Sequence, residues 1–379
     1  MQRSRQIVSL TGMRAFLIGW IVIYHLKDEL DILFPFQPLI DFAATGFIGV
    51  DVFFITSGFI IAYNYATLFK SFSLNTYKSF LWLRLARIYP VYLFSLLLTA
   101  LMFGAATFIG SQVSNPDFYT ASGFVKSLFL VQAWALPTTF SWNAVAWAVS
   151  NEWLAYLAFP IIIAITLRIR HIPTVLASIV AILWVMAAVC LLLDATWSAP
   201  YGAGSYGTLR VAGEFIAGCL LYNLYAIGWG ARWRWGWITV VAWLAVIGGG
   251  VFLNSATRTQ LAGAQLVDTI NMSGQLNVLW ITPVCAIAVY ALAWERGWIA
   301  KIFSTKPMIY GGHISYALYL THFICLILLR RYFSVEAYAS ASFGLRGGVF
   351  VGYLIVMLSV AVLTYRLVEE PERRWMKSL

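Results

Sequence analysis

Apolar runs of about twenty residues recur along the chain, separated by short polar segments. A helix needs roughly 20 residues to cross a hydrocarbon core about 30 Å thick. Runs of that kind fall at 13–33, 46–67, 84–110, 142–168, 174–194, 206–227, 236–253, 276–294, 312–333 and 347–368. The pattern predicts an all-α polytopic fold of about ten transmembrane helices. A shorter run at 124–136 reads as a re-entrant or interfacial piece. No repeat, low-complexity tract or Pro/Gly/Ser linker interrupts this order, so residues 1–379 are expected to form a single membrane domain with no appended soluble one.

Composition agrees and narrows the class. Of the 379 residues, 61% are hydrophobic and 11% charged, against about 25% charged in soluble domains. Too few polar side chains remain to coat a water-facing surface, and so apolar a chain does not stay disordered. The formal charge of +10 comes from 25 Lys and Arg against 15 Asp and Glu. The basic residues cluster between the apolar runs, as the positive-inside rule produces, so the implied partner is a lipid bilayer and not nucleic acid. With a cytoplasmic N-terminus, 16 basic residues fall in cytoplasmic segments, 6 in outer ones, and Arg14, Arg210 and Arg366 are embedded. Counting 124–136 as a full span would invert the later loops and spoil that bias. The expected location is therefore the cytoplasmic (inner) membrane with both termini inside. The first run is too long for a signal peptide, contains Arg14 and His25, and lacks a small-x-small cleavage site, so it reads as a retained span.

The chemistry must come from polar groups placed where lipid should be. An ionisable side chain at mid-bilayer costs on the order of 2.5–3.5 kcal/mol, so each asks for a partner or a task. The embedded set is Arg14, His25, Asp51, Glu152, Arg210, Glu214 and His322. From the cytoplasmic end of each run, His25 lies roughly 18 Å deep, Asp51 and Glu152 roughly 25 Å, and His322 roughly 15 Å. Arg14 and His25 are the most telling pair. Eleven residues at about 100° each return to nearly the same helix face, about 16 Å further along the axis. One face of span 1 thus carries a cation near the cytoplasm and an imidazole deep in the membrane, a spacing that suits an anionic head with a long, thin reactive arm. Arg84 and Arg87, three apart, also share a face and form either a second half of an anion clamp or ordinary interfacial anchors. His25 alone is also compatible with helix packing, and Asp51 and Glu152 with interhelical hydrogen bonds. Arg210 and Glu214, spaced i,i+4, are expected to neutralise each other.

The four cysteines are isolated in apolar runs and read as small core residues. No His/Cys pattern suits a metal, and no glycine-rich fingerprint suits a nucleotide fold.

Several stretches together resemble the type 3 acyltransferase family of integral membrane proteins. They are SLTGMRAFLIGWIVIYH (9–25), GFIGVDVFFITSGFII (46–61), RLARIYPVYLF (84–94), WAVSNEWLAYL (147–157), SYALYLTHF (315–323) and VEEPERRW (368–375). The resemblance implies transfer of an acyl group, usually acetyl from acetyl-CoA, to a hydroxyl of an extracytoplasmic or membrane-presented glycan. Its R-x10-H motif matches Arg14 and His25, and its G-V-D-x-F-F motif contains Asp51. Arg84 and Arg87 match its R-x-x-R helix start, Trp147, Glu152 and Tyr156 its W-x4-E-x3-Y segment, and Ser315, Tyr316, Tyr319 and His322 its S-Y-x2-Y-x2-H segment. Some members carry a fused periplasmic esterase-like domain, which is not expected here.

The combined expectation is that Arg14, Arg84 and Arg87 grip the phosphates of acyl-CoA, a co-substrate and not a resident cofactor. His25 then acts as general base, with Asp51 or Glu152 holding its tautomer. Tyr319, His322 or Ser150 is expected to touch the oxyanion or the acceptor. Direct attack is preferred to an acyl-enzyme, Ser57 being the weak serine alternative. A proton-coupled transporter would use the same embedded Asp, Glu and His, but usually shows repeats or broken midplane helices. A non-catalytic scaffold would leave the Arg14/His25 register unexplained.

Overall fold

The computed structural model describes residues 5–111, 113, 115–135, 140–192, 207–261 and 281–372. Arg3, Asp194, Asp268, Arg373, Arg374 and Lys377, which entered the charge count, lie outside them, as do parts of the fifth and eighth runs. Every regular element among the described residues is helical.

The first run divides into two helices. Helix α1 is Val8–His25 and α2 is Lys27–Leu33, with a break at Leu26. His25 is therefore the last residue of α1 and not a mid-span residue. The second run is α3 (Gln37–Ala44) leading into α4 (Ile48–Tyr65), and α5 (Leu74–Phe108) carries the third. Next come the short α6 (Ala121–Leu128), then α7 (Trp147–Thr166), α8 (Ile172–Leu192), α9 (Gly207–Ala226) and α10 (Trp235–Leu261). The described part of α11 is Ile281–Ala293. Helices α12 (Gly297–Phe303), α13 (Lys306–Tyr332) and α14 (Phe343–Thr364) complete the order.

Seven helical segments among the described residues are long and apolar enough to cross a membrane, those built on α1, α3–α4, α5, α7, α10, α13 and α14. The count of ten read from the apolar runs is not reached by that measure. The fifth and eighth runs are described only in part, as the apolar stretches Ile172–Met186 and Ile281–Ala293, and so fall outside that count. The sixth, α9, is diluted by Arg210, Glu214, Asn223 and several glycines. The 124–136 run is an eight-residue helix followed by a turn, tied to α5 by the Tyr89 and Tyr92 hydroxyls, which donate to the Leu128 and Ser127 carbonyls.

Two close helix pairs position the interior. Helix α1 lies along α13 with almost no side chain between them, and a Cβ on Gly312 would stand 1.9 Å from the Thr11 carbonyl oxygen. Helix α4 lies along α9 in the same way, a Cβ on Gly218 falling 2.1 Å from the Ile55 oxygen. Small residues allow such approach, and in lipid that close packing is a main source of helix association. Burial ranks the layers, since 72% of an 18-residue apolar stretch of the α3–α4 span is buried against 22% of the corresponding stretch of the span containing α14. Helix α4 is thus central, while α14 turns its Ile355, Val356 and Leu358 outward. No side chain of its own caps α1. Instead the Glu295 carboxylate accepts from the backbone N–H groups of Val8 (2.7 Å) and Ser9 (3.4 Å), where an anion also meets the positive end of the helix dipole.

Candidate functional site

A cavity of about 860 Å³ opens among α1, α4, α5, α7 and α13. One end is marked by Arg5, Gln6, Tyr63 and Asn64, and it reaches past Arg14, Arg84 and Arg87 to Glu152, Ser315 and Tyr319. All three arginines singled out for an anion clamp line it, and so does Glu152.

The three guanidiniums differ in what they already hold. Arg14 has no hydrogen bond or ion pair among the described residues; its guanidinium carbon lies 5.9 Å from the Phe53 ring centre. Arg84 donates from Nη2 to the Tyr65 hydroxyl at 2.6 Å, while its Nε is buried with no partner among the described residues. Arg87 is ion-paired to Glu369, whose carboxylate is almost wholly buried, and stacks over Tyr316. Arg14 therefore brings spare donors to the cavity, Arg84 lines it with its Nε buried and unpartnered among the described residues, and most of Arg87's charge is answered by the protein. Nothing in the sequence spacing pointed to Glu369, although it stands in the family-matching stretch 368–375.

Glu152 does not meet His25. One of its carboxylate oxygens accepts from Ser57 Oγ at 2.9 Å and from the Tyr156 hydroxyl, which sits one turn further along α7. Asp51 does not meet His25 either. It faces Arg210 in a bidentate pair, Nε to Oδ1 at 2.6 Å and Nη2 to Oδ2 at 2.7 Å. The cause is the α4–α9 contact, which sets the two residues at matching heights; a buried guanidinium takes the carboxylate that satisfies its fork. Glu214, the expected partner of Arg210, stands further off at 3.6 Å.

The partner of His25 is His322, supplied by α13. His25 Nδ1 lies 2.9 Å from the Ile21 carbonyl oxygen and 3.4 Å from His322 Nε2. His322 Nδ1 lies 3.0 Å from the Leu318 carbonyl oxygen. A carbonyl only accepts, so each Nδ1 carries the hydrogen. In the neutral rings both Nε2 atoms then hold lone pairs. That of His322 faces the His25 Nδ1–H. That of His25 has no hydrogen-bond partner among the described residues. Measured along the helices, His25 stands about 25 Å from Val8 and His322 about 24 Å from Lys306, so two residues 297 apart meet at one height. Their ring centres are 5.0 Å apart, and Phe323 closes another side of His25 at 5.5 Å.

His25 does not line the cavity that Arg14 lines. Tyr319 stands between the two regions: it lines the cavity, its ring centre is 6.0 Å from that of His322, and its hydroxyl donates to the Val145 carbonyl at 2.8 Å. Ser150, expected near the acceptor, is fully buried; its Oγ donates to the Leu130 carbonyl at 2.7 Å and accepts from Ala133 N–H at 3.2 Å, pinning the turn after α6. Outside both groups, Arg330 near the end of α13 pairs with the buried Glu29 and donates to the His25 carbonyl at 3.2 Å.

Comparison with known proteins agrees with the motifs. A family described as an acyltransferase domain matches residues 7–366. The O-acetyltransferase OatA of Staphylococcus aureus is 25% identical over 400 residues, covering 99% of this chain and 58% of the relative. The acyltransferase MdmB of Streptomyces mycarofaciens is 30% identical over 165 residues, covering 42% of this chain and 40% of the relative. The chain thus spans a little over half the length of the OatA proteins it resembles. No solved structure matches.

Proposed function

The chain belongs to the type 3 acyltransferase family, and from that premise we propose that it transfers an acyl group, acetyl in the first instance, from cytoplasmic acyl-CoA to a hydroxyl of a glycan at the outer side of the cytoplasmic membrane. The observation that carries this reading is a guanidinium, Arg14, with no protein partner among the described residues in a deep cavity, on the helix that ends in an imidazole with a bare Nε2. An unanswered cation inside a membrane protein calls for an anionic ligand. Arg14 and Arg84 would take the phosphates by charge-assisted hydrogen bonds, with Arg87 as a weaker third contact. The cavity beyond them has room for the pantetheine arm.

At the far end the acceptor hydroxyl attacks the thioester carbon. Its proton goes to His25 Nε2, the carbon–sulfur bond breaks, and its electron pair leaves on the CoA sulfur. A positioned general base supplies roughly 10²–10⁴ in rate. For the thioester to reach His25 it must pass Tyr319, which makes that ring the gate of the route. Glu152, with Ser57 and Tyr156, stands on the cavity wall and would contact the donor, not the base.

Purified protein in nanodiscs, given radiolabelled acetyl-CoA and envelope glycan, tests this reading. Label transfer that is lost in His25→Ala supports it; transfer that survives in His25→Ala overturns the role of His25, and indifference to acetyl-CoA overturns the donor. Mass spectrometry of envelope glycans from cells with and without the protein should show one acyl increment.

A further inference from the structure

Residues that hold a general base decide which nitrogen is free and what happens to the charge it acquires. In this protein neither carboxylate read from the sequence reaches His25. We propose that His322 is the positioning residue of the reaction: its Nε2 lone pair accepts from His25 Nδ1–H and so holds the ring that takes the acceptor's proton. The proposal rests on the transferase reading above and adds to it the neutral partner of the base.

Four observations carry it. Each Nδ1 hydrogen is assigned by its own helix carbonyl, Ile21 for His25 and Leu318 for His322. That leaves His322 Nε2 an acceptor, directed at His25 Nδ1 from 3.4 Å. This separation is at the long end for such a bond and belongs to a hydrogen shared with Ile21; catalytic hydrogen bonds commonly tighten only when substrate binds. His322 is completely buried, so water does not compete for its lone pair. Finally, α13 holds the same residue a second time, because Arg330 donates to the His25 carbonyl at 3.2 Å while paired to Glu29. His25 ends its helix at a break, and without these contacts its last turn would be free to fray.

The proton account closes. The acceptor's proton arrives on His25 Nε2 and makes an imidazolium. Its Nδ1–H is then shared with His322 Nε2, which spreads the charge over two rings without requiring a buried carboxylate. The Nε2 proton then passes to the departing CoA thiolate as CoA–SH, and both rings return to their starting tautomers.

Two substitutions and one spectrum test the proposal. His322→Leu, with no acceptor, should lower kcat on the order of tenfold or more, a fraction of what a positioned base supplies, with KM for acetyl-CoA within twofold of wild type. His322→Gln offers an amide oxygen at about the reach of Nε2 and should recover most of kcat. Solid-state 15N spectra of histidine-labelled protein, which has only four histidines, should show a protonated Nδ1 coupled to a bare Nε2 of another ring, absent in His322→Leu. Wild-type kcat in His322→Leu, a Gln variant no better than Leu at unchanged acetyl-CoA binding, or no cross-ring coupling would each overturn it. If the wild-type protein shows the coupling yet is indifferent to acetyl-CoA and transfers nothing, the transferase reading fails and the histidine contact stands; full transfer in His25→Ala overturns the base and, with it, the positioning role of His322.

Discussion

Arg14 and Arg87 line the same cavity, yet their removal should be felt in different measurements. Arg14 has no protein partner among the described residues, so Arg14→Gln removes ligand contacts and little else. A hydrogen bond to a charged group is worth about 1.5–3 kcal/mol, so KM for acetyl-CoA should rise on the order of 10- to 100-fold with the melting temperature unchanged. Arg87→Gln takes the guanidinium away from the buried Glu369 carboxylate. Breaking a buried pair costs about 3–5 kcal/mol, so the loss should appear first as lower thermal stability in detergent. The double variant Arg87→Met, Glu369→Leu should recover stability but not donor affinity. Asp51 behaves like Arg87: Asp51→Asn removes the carboxylate of a buried bidentate pair and leaves Arg210 the more distant Glu214, and it should destabilise by somewhat less than Arg87→Gln whether or not acyl-CoA is present. If Asp51→Asn melts as wild type does while transfer is abolished, Asp51 is acting on the reaction and not on the fold.

At the scale of elements the site depends on how α1 lies against α13. Gly312 is a point of close backbone approach between them. A larger side chain there drives the helices apart, and overpacking typically costs about 1–3 kcal/mol. Gly312→Leu should therefore lower kcat through the His25–His322 contact, whereas Gly218→Leu, on the α4–α9 pair, should mainly lower stability by disturbing Asp51–Arg210. The start of α1 depends on a carboxylate 287 residues away in sequence. Glu295→Ala removes that cap, at about 1 kcal/mol, and should raise amide exchange at Val8 and Ser9 while leaving exchange near His25 unaltered. Uniform protection along α1 in that variant would show that Glu295 does not hold its beginning.

For the molecule as a whole, the cavity and the histidine pair occupy successive heights along α1, so donor and acceptor are expected to approach from opposite ends. Reconstituted in sealed vesicles of known orientation, the protein should use acetyl-CoA supplied on the side of Arg5 and Asn64, with acetylated glycan appearing on the other. Equal rates from either side would exclude that route. A single mouth shared by both substrates would also make high acceptor concentrations compete with acetyl-CoA, and the two-ended arrangement predicts no such competition.

Periodicity and composition were enough to place the helices near their final positions, because an apolar run about 30 Å long has no alternative to helix in lipid. They also singled out Arg14 on α1 and Arg84 and Arg87 on one face of α5, and all three line the cavity. Pairing between elements was not legible. Asp51, Glu152, Glu214 and His322 are embedded polar groups, and a one-dimensional pattern assigns depth without assigning neighbours. Close packing decided the rest. Glycine-lined contacts brought α4 to α9 and α1 to α13, giving Asp51 to Arg210 and His322 to His25. In a medium without water a buried donor or acceptor must be met by another residue, and which residue that is depends on which helices touch.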